Sequence, residues 1–261
     1  TNDPDENPRY VGPNPDNYVR FNNELWRIIG VFDGQAKIIR EIPYNTEIAW
    51  DKGSSDGGTH GDYGWNDWSQ ATSQSELNGA FLNDIDSTSK AYIDTTYIWK
   101  LGGRANGTRS EFYNSERGTE VYSGRPTTWK GAIGLMYPSD YGYATSSPDD
   151  TCNTITMYNW DSGTAKTECA SKSWLYNSFR SQWTVTPLSN SGTNMYLVNR
   201  VGDVRSGTAG FTENASSASP VLYLKETVKI ASGSGTSTDP YILTQEVDQT
   251  KTPVIELQVP N

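Results

Sequence analysis

NYVRFNNELWRIIGVF, residues 17–32, is the longest run of the chain that reads unambiguously as sheet. Tyr18–Phe21 and residues 25–32 are rich in aromatic and β-branched side chains, and Asn22-Asn23 between them suits the left-handed conformations of a tight turn. In the second run Leu25, Ile29 and Val31 fall on one face and Trp26, Ile28 and Phe32 on the other. Apart from Arg27, a strand here is apolar on both sides, the pattern of a central strand. Asp33-Gly34 then turns the chain into KIIREI, residues 37–42, which predicts a three-stranded meander.

Around this scaffold, 261 residues allow one large domain or two small ones, with roughly 70 to 75% of the unfolded surface buried at this size. Only 34% of the chain is hydrophobic, but it holds nine Trp and sixteen Tyr, so much of the burial must come from rings with a polar handle. Gly, Ser, Thr and Asn are abundant and strong helix formers sparse, which favours β-structure with long ordered loops. The formal charge is −10 and no cluster of Lys or Arg could neutralise several phosphates together. Nucleic-acid binding and attachment to an anionic membrane surface are therefore excluded as expectations. No apolar run approaches the roughly 20 residues that cross a bilayer, so no membrane insertion is expected in this segment, and any signal peptide or anchor is expected outside it.

Cys152 and Cys169 flank a loop of small and polar residues, with sixteen residues between them. They are either two free thiols or a disulfide. The second reading is favoured, because a bridge closing such an exposed loop adds roughly 3 kcal/mol. It implies an oxidising, extracellular compartment. Asn106-Gly107-Thr108 and Asn214-Ala215-Ser216 match the glycosylation sequon, a pattern too frequent by chance to carry weight.

Along the chain, residues 1–16 hold four prolines among Asn and Asp and read as an extended arm or linker. Residues 17–245 form the body. Residues 51–67 are a glycine-rich loop with four Asp and the single histidine, His60. A helix is expected within 69–83 and a second over 87–92. Residues 111–124 read as irregular or edge-strand structure. AIGLMY (132–137), QWTVTP (182–187), NMYLVNRV (194–201) and PVLYL (220–224) read as strands, and residues 227–230 and 241–243 as a closing hairpin. No element repeats, which argues against a solenoid or propeller. The expected fold is a single α+β domain, β-rich, with two short helices, long ordered loops and the N- and C-terminal strands in one sheet. The tail, 246–261, contains TPVIELQV and is either an extra edge strand or a link to a following segment.

Several long blocks carry a likeness: YVGPNPDNYVRFNNELWRIIGVF at 10–32, NDW before a helix ending in FLN, SGRPTTWKGAIGLMYPSDYGYAT at 123–145, QWTVTP, and SPVLYLKETVKIASGSGTSTDPYIL at 219–243. On these the chain resembles a family of uncharacterised surface-associated proteins from gut Firmicutes and related bacteria. The pairing of QWTVTP with PVLYL is also similar to the C-type-lectin-like fold of formylglycine-generating enzymes and of the variable proteins of diversity-generating retroelements. Many relatives carry Gly-Val-Arg-Pro before the late strand, whereas this chain has Ala218-Ser219-Pro220, so any structural role of that Arg is lost or moved. The resemblance implies a loop-rich display scaffold.

Catalytic constellations are sparse. Cysteine oxidation on such a fold needs an accessible thiolate, and Cys152 and Cys169 sit in what reads as a surface staple. Ser-His-Asp chemistry would rest on His60, with no nucleophile-elbow sequence in the chain, and one His with two bonded Cys cannot supply a usual zinc site. Glu47, Glu76, Glu111, Glu116 and Glu120 are available for glycoside hydrolysis, and none is singled out by its context. Asp56 and Asp62, with Asp51 and Asp67 in the same loop and Asp149-Asp150 in another, offer hard oxygen ligands for calcium, the one cofactor entertained. For ligand binding, Trp65 with Asn66 and Asp67 suits a sugar site, a ring for the pyranose face and polar groups for its hydroxyls; the competing reading makes Trp68 core-facing and leaves Trp65 alone exposed. A second candidate surface gathers Asn190, Asn194, Asn199, Arg200, Arg205 and Phe211. The expectation is a non-catalytic adhesion or display module on a bacterial cell surface, with a glycan or surface protein as partner. The alternatives are a fibre subunit that assembles with copies of itself through its terminal extensions, and a glycan hydrolase.

Overall fold

The computed structural model describes residues 4–45, 47–146, 151–210 and 216–246. Asn22 and Asn23 sit at φ of 54° and 58°, Asp33 and Gly34 at 50° and 85°. These two left-handed turns fold the chain into the expected meander of β1 (Tyr18–Phe21), β2 (Glu24–Phe32) and β3 (Gln35–Arg40). The remaining strands are β4 (Ile98–Lys100), β5 (Thr128–Lys130), β6 (Ile133–Gly134), β7 (Ser181–Pro187), β8 (Asn194–Val198), β9 (Val204–Thr208), β10 (Ser216–Ser217), β11 (Val221–Tyr223), β12 (Val228–Ser232) and β13 (Tyr241–Gln245).

The main sheet has the order β12-β13-β1-β2-β3-β11-β6. β2 is central, as its two apolar faces require, and β3 joins it to β11. β1 and β13 lie side by side and parallel, with Val19 opposite Tyr241. The early and late strands therefore share one sheet. A second sheet, β10-β7-β8-β9, and the β4-β5 pair complete the β-structure. One hydrophobic core spans both sheets. Its largest members are tryptophans, and the indole N–H groups of three of them reach backbone carbonyls: Trp50 donates to Thr184 O (3.0 Å), Trp183 to Ile48 O (2.8 Å) and Trp99 to Gly131 O (3.0 Å). These are the rings with polar handles that the composition called for.

Helices are short and more numerous than the two expected. Among the described residues they are α1 (Thr72–Glu76), α2 (Leu82–Asp84), α3 (Ser87–Tyr92), α4 (Arg109–Glu116), α5 (Pro138–Tyr143), α6 (Thr151–Thr154) and α7 (Gly163–Glu168). A π-helical turn, Leu77–Phe81, joins α1 to α2 and buries Leu77 and Phe81, so the helix expected within 69–83 is one continuous run with a wide turn at its centre. Asp86 caps α3 through the N–H groups of Thr88 and Ser89. The stretch beginning at Glu111, read as irregular or edge strand, instead carries most of α4. Thr108 and Glu111 form a reciprocal capping box at its start, which satisfies two otherwise orphaned N–H groups.

The proline-rich arm is docked on the body. Pro8 O accepts from Val31 N (2.9 Å), Tyr10 N donates to Ile29 O (3.1 Å), Gly12 N donates to Ala144 O (2.9 Å), and Trp174 Nε1 donates to Tyr10 O (3.0 Å). Gly30 permits this approach, since a Cβ there would lie 2.5 Å from Pro8 O. Buried Arg9 is held by both carboxylate oxygens of Asp5, at 2.6 and 2.9 Å. Most of the tail, with its TPVIELQV segment, lies outside the described residues, as do Phe211 and Asp149-Asp150.

Cys152 and Cys169 form a disulfide with Cα atoms 5.7 Å apart, and both are fully buried. Replacing both with Ser opens a loop with a sequence separation of 17. The expected loss is about 3 kcal/mol, a fall in Tm of roughly 6–12 °C for a domain of this size, measured by calorimetry on the double variant.

Candidate ligand-binding cleft

Six segments converge on a cavity of about 370 Å³: Asp5 and Asn7 of the arm, Phe32 and Asp33 at the β2–β3 turn, Tyr97 and Lys100 around β4, Tyr113 and Arg117 from α4 and its end, Tyr137 ahead of α5, and Tyr223 of β11. The sheet register sets part of this wall. Tyr223 pairs with Lys37 across β11 and β3, which puts both side chains on the same face. The Tyr97 and Tyr223 rings stack with centroids 3.6 Å apart, and Trp99 meets both edge-on at 5.5 and 5.4 Å. The Arg117 guanidinium lies 3.5 Å from the Tyr113 ring centroid. Tyr137 Oη donates to Lys100 O (2.9 Å) and accepts from Lys100 N (3.0 Å), while Tyr113 Oη donates to Asp5 Oδ2 (2.5 Å). Rings of the cavity wall are thus held by other residues of the same wall.

Beneath the rings lies a buried polar layer. Lys37 Nζ is 2.5 Å from Asp140 Oδ2 and 4.4 Å from the Tyr137 centroid, and both partners of the ion pair are almost wholly buried. The same carboxylate oxygen accepts from Tyr137 N (2.8 Å). Burial pushes the Lys37 ammonium down from its ordinary pKa, opposed by Asp140. Glu116, fully buried, accepts from Ser139 N at 3.0 Å through Oε1 and from Ser139 Oγ through Oε2, with Arg117 Nη1 3.4 Å away. Burial raises its pKa to about 7, with Asp140 adding to the shift and Arg117 and Ser139 opposing it.

The tyrosines stay neutral at ordinary pH: burial pushes Tyr137 and Tyr223 well up, and burial with the Asp5 bond takes Tyr113 to about 12. At Asp5, burial alone would raise the pKa; hydrogen bonds from Arg9, Tyr113 and Asn7 outweigh it and hold the carboxyl well below the usual range. Perturbed groups gathered around one cleft are a functional signal. Glu116 spends both oxygens on Ser139 and has no exposed surface. The partly buried rings of Tyr97 and Tyr113, the buried rings of Phe32, Tyr137 and Tyr223, the Arg117 guanidinium and rim charges at Asp33 and Lys100 line the cavity instead.

The residues singled out from the sequence lie elsewhere. Trp68 is in the core and Trp65 is 38% exposed, as the competing reading had it. The Trp65 ring stacks on His60 at 4.4 Å and has the Arg125 guanidinium 4.6 Å from its centroid, so protein groups already occupy positions a sugar would use. Asn66 is a buried knot: its Nδ2 donates to Leu188 O, Ser191 O and Asn194 O, and its Oδ1 accepts from Arg125 Nε. Asp67 caps the turn at Ser69. Asn194 and Asn199 flank β8 at opposite ends; Asn190 and Arg200 are exposed, and Arg205 is bound to Asp203 at 2.5 Å. Asp62 accepts from Ser54 Oγ (2.6 Å), Asp51 is bound by His60, Trp65 N and Thr72, and among the described residues no three His, Cys, Asp or Glu side chains gather as a metal site would require, Asp56 included.

Sequence reasoning missed Lys37, Tyr97, Tyr113, Arg117, Tyr137 and Tyr223. One signal was present: Lys37 is a charge in a strand adjoining an apolar central one, and such a charge needs a buried partner. No helix among the described residues is long and apolar enough to cross a membrane. No protein-family model, curated protein or solved structure matches the chain.

Proposed function

We propose that the chain is a non-catalytic extracellular display or adhesion module of a bacterial cell surface, C-type-lectin-like in fold and related to the surface-protein family its motifs resemble, and that it binds a glycan in the tyrosine-lined cleft. The observation that carries this reading is the cavity of about 370 Å³ walled by Phe32, Tyr97, Tyr113, Tyr137 and Tyr223 with Arg117 among them. Its volume lies in the range of small-ligand sites, roughly 300–1,000 Å³. Aromatic faces suit the C–H face of a pyranose, and Arg117, Lys100, Asn7 and Asp33 supply donors and acceptors for hydroxyls. The buried disulfide supports an oxidising compartment. Short helices, long loops and terminal strands in one sheet support the scaffold assignment.

A glycan array followed by calorimetric titration of the best hit tests the reading. Tyr97→Ala and Arg117→Met are each expected to weaken binding about tenfold, the consequence of losing one stacking surface or one charged donor. Silence across the array, or a hit whose affinity neither variant changes, overturns it.

A further inference from the structure

A second pocket of about 300 Å³ shares no lining residue with the tyrosine cleft. Its walls come from β2 and β3, through Arg27 and Ile39, and from the segment that runs from Trp174 to Gln182. At its base lies a cation that the protein leaves incompletely matched. The Arg27 side chain is 8% exposed, and its guanidinium sits between the rings of Tyr18 and Trp174, 4.4 Å from each centroid. Nε donates to Asn17 Oδ1 (2.8 Å) and Nη2 to Pro15 O (3.3 Å), both neutral acceptors. The nearest carboxylate, Glu41, is 3.9 Å from Nε, beyond hydrogen-bond reach, and Nη1 has no hydrogen-bond partner among the described residues. A desolvated guanidinium is stabilised by a planar anion that takes two N–H groups together, and none is supplied from within the described residues.

The rim carries a second unexplained feature. Phe179 is 86% exposed, the most exposed large apolar side chain among the described residues. It is not on a floppy loop, because Asn177 Oδ1 accepts from both Phe179 N (2.9 Å) and Arg180 N (3.1 Å). A phenyl ring is thus presented to solvent beside the pocket on a hydrogen-bonded turn. Between ring and cation the lining is polar, with Asn177, Ser178, Gln182 and Ser219. Ser219 Oγ donates to Gln182 Oε1 (3.3 Å) and Gln182 Nε2 to Leu175 O (3.1 Å), which fixes the floor.

We infer that this pocket is a separate binding site for an acidic pyranose, its carboxylate on the Arg27 guanidinium, its ring face on Phe179 and its hydroxyls on the polar lining. A neutral sugar leaves the buried charge as it is. A bare carboxylate makes no use of the exposed ring. Glu41 then acts as a stand-in counter-ion in the empty pocket and as a competitor for the ligand's carboxylate.

Calorimetric titration of the intact protein with glucuronate, galacturonate and N-acetylneuraminate tests this, with glucuronate methyl ester, glucose, acetate and a short peptide with a free C-terminus as comparisons. At least one acidic sugar is expected to bind, and the ester, glucose and acetate at least tenfold more weakly or not at all. Glu41→Gln is expected to tighten the acidic sugar about fivefold, the effect of removing a like charge roughly 4 Å away at a wet site. Phe179→Ala is expected to weaken it about tenfold. Both positions are at the surface, so both variants fold. Tyr97→Ala, in the other cleft, leaves this binding unchanged and separates the two sites. Equal binding of acid and ester, binding of the peptide in place of every acidic sugar, no response to either variant, or no binding at millimolar sugar each overturns the assignment.

Discussion

Lys37→Met is expected to destabilise the fold by about 3–5 kcal/mol, the range seen when one member of a buried ion pair is removed, and to lower Tm by roughly 6–20 °C. The ammonium lies 2.5 Å from Asp140 with both groups out of water. Methionine fills much of the same volume, so the loss comes from the uncompensated carboxylate and little from a void. The pair also joins β3 to α5 across 103 residues of sequence. Adding Asp140→Asn to the Lys37→Met variant should recover more than half of the loss, since the amide oxygen can still accept from Tyr137 N while the charge is gone. Denaturant melts of the two single variants and the double variant give the coupling directly. A loss below about 1 kcal/mol for Lys37→Met would mean that the pair contributes no more than an exposed one.

The second large effect is on pH dependence. Glu116 has its pKa raised from an ordinary value of 4.5 to about 7, chiefly by burial. Between those values the native state keeps a proton that the unfolded chain has released. Stability contributed by this group is therefore greatest below about pH 4.5, falls as pH rises to about 7 and is flat above. At 1.36 kcal/mol for each pH unit, the span is about 3 kcal/mol. Glu116→Gln mimics the protonated form and keeps an acceptor for Ser139 N. Subtracting its stability curve from that of the parent, measured by urea unfolding from pH 4 to 9, should leave a sigmoid of that height. A flat difference curve would show that Glu116 ionises in the folded protein as it does in the unfolded chain.

Much of the framework was legible because its signals are local. Asn22-Asn23 and Asp33-Gly34 are pairs that tolerate positive φ, and the apolar faces of residues 25–32 demand a central strand, so the meander follows from neighbouring residues alone. Helix α4 carried a legible signal that was overlooked. Thr108-Arg-Ser-Glu111 is a capping box, but the helix behind it buries Arg109, Phe112 and Glu116 and shows no apolar stripe. The cleft was not legible, since Tyr113 meets Asp5 across 108 residues and Tyr223 reaches Lys37 only through the register of β11 on β3. Trp65 was misleading for a related reason. A tryptophan in a glycine-rich polar loop reads as a free platform, and nothing nearby announces that Arg125 will come to lie over it.

The parallel pairing of β1 with β13 has a mechanical consequence. Tyr18 begins one strand and Gln245 ends its neighbour, so the chain leaves this pair at opposite ends. A pull on the chain before Tyr18 and after Gln245 drives the two strands past each other lengthwise, and their hydrogen bonds bear the load together instead of parting one at a time. Tension along the polypeptide, such as flow exerts on a tethered molecule, is therefore met by the seam between β1 and β13 in its most resistant direction.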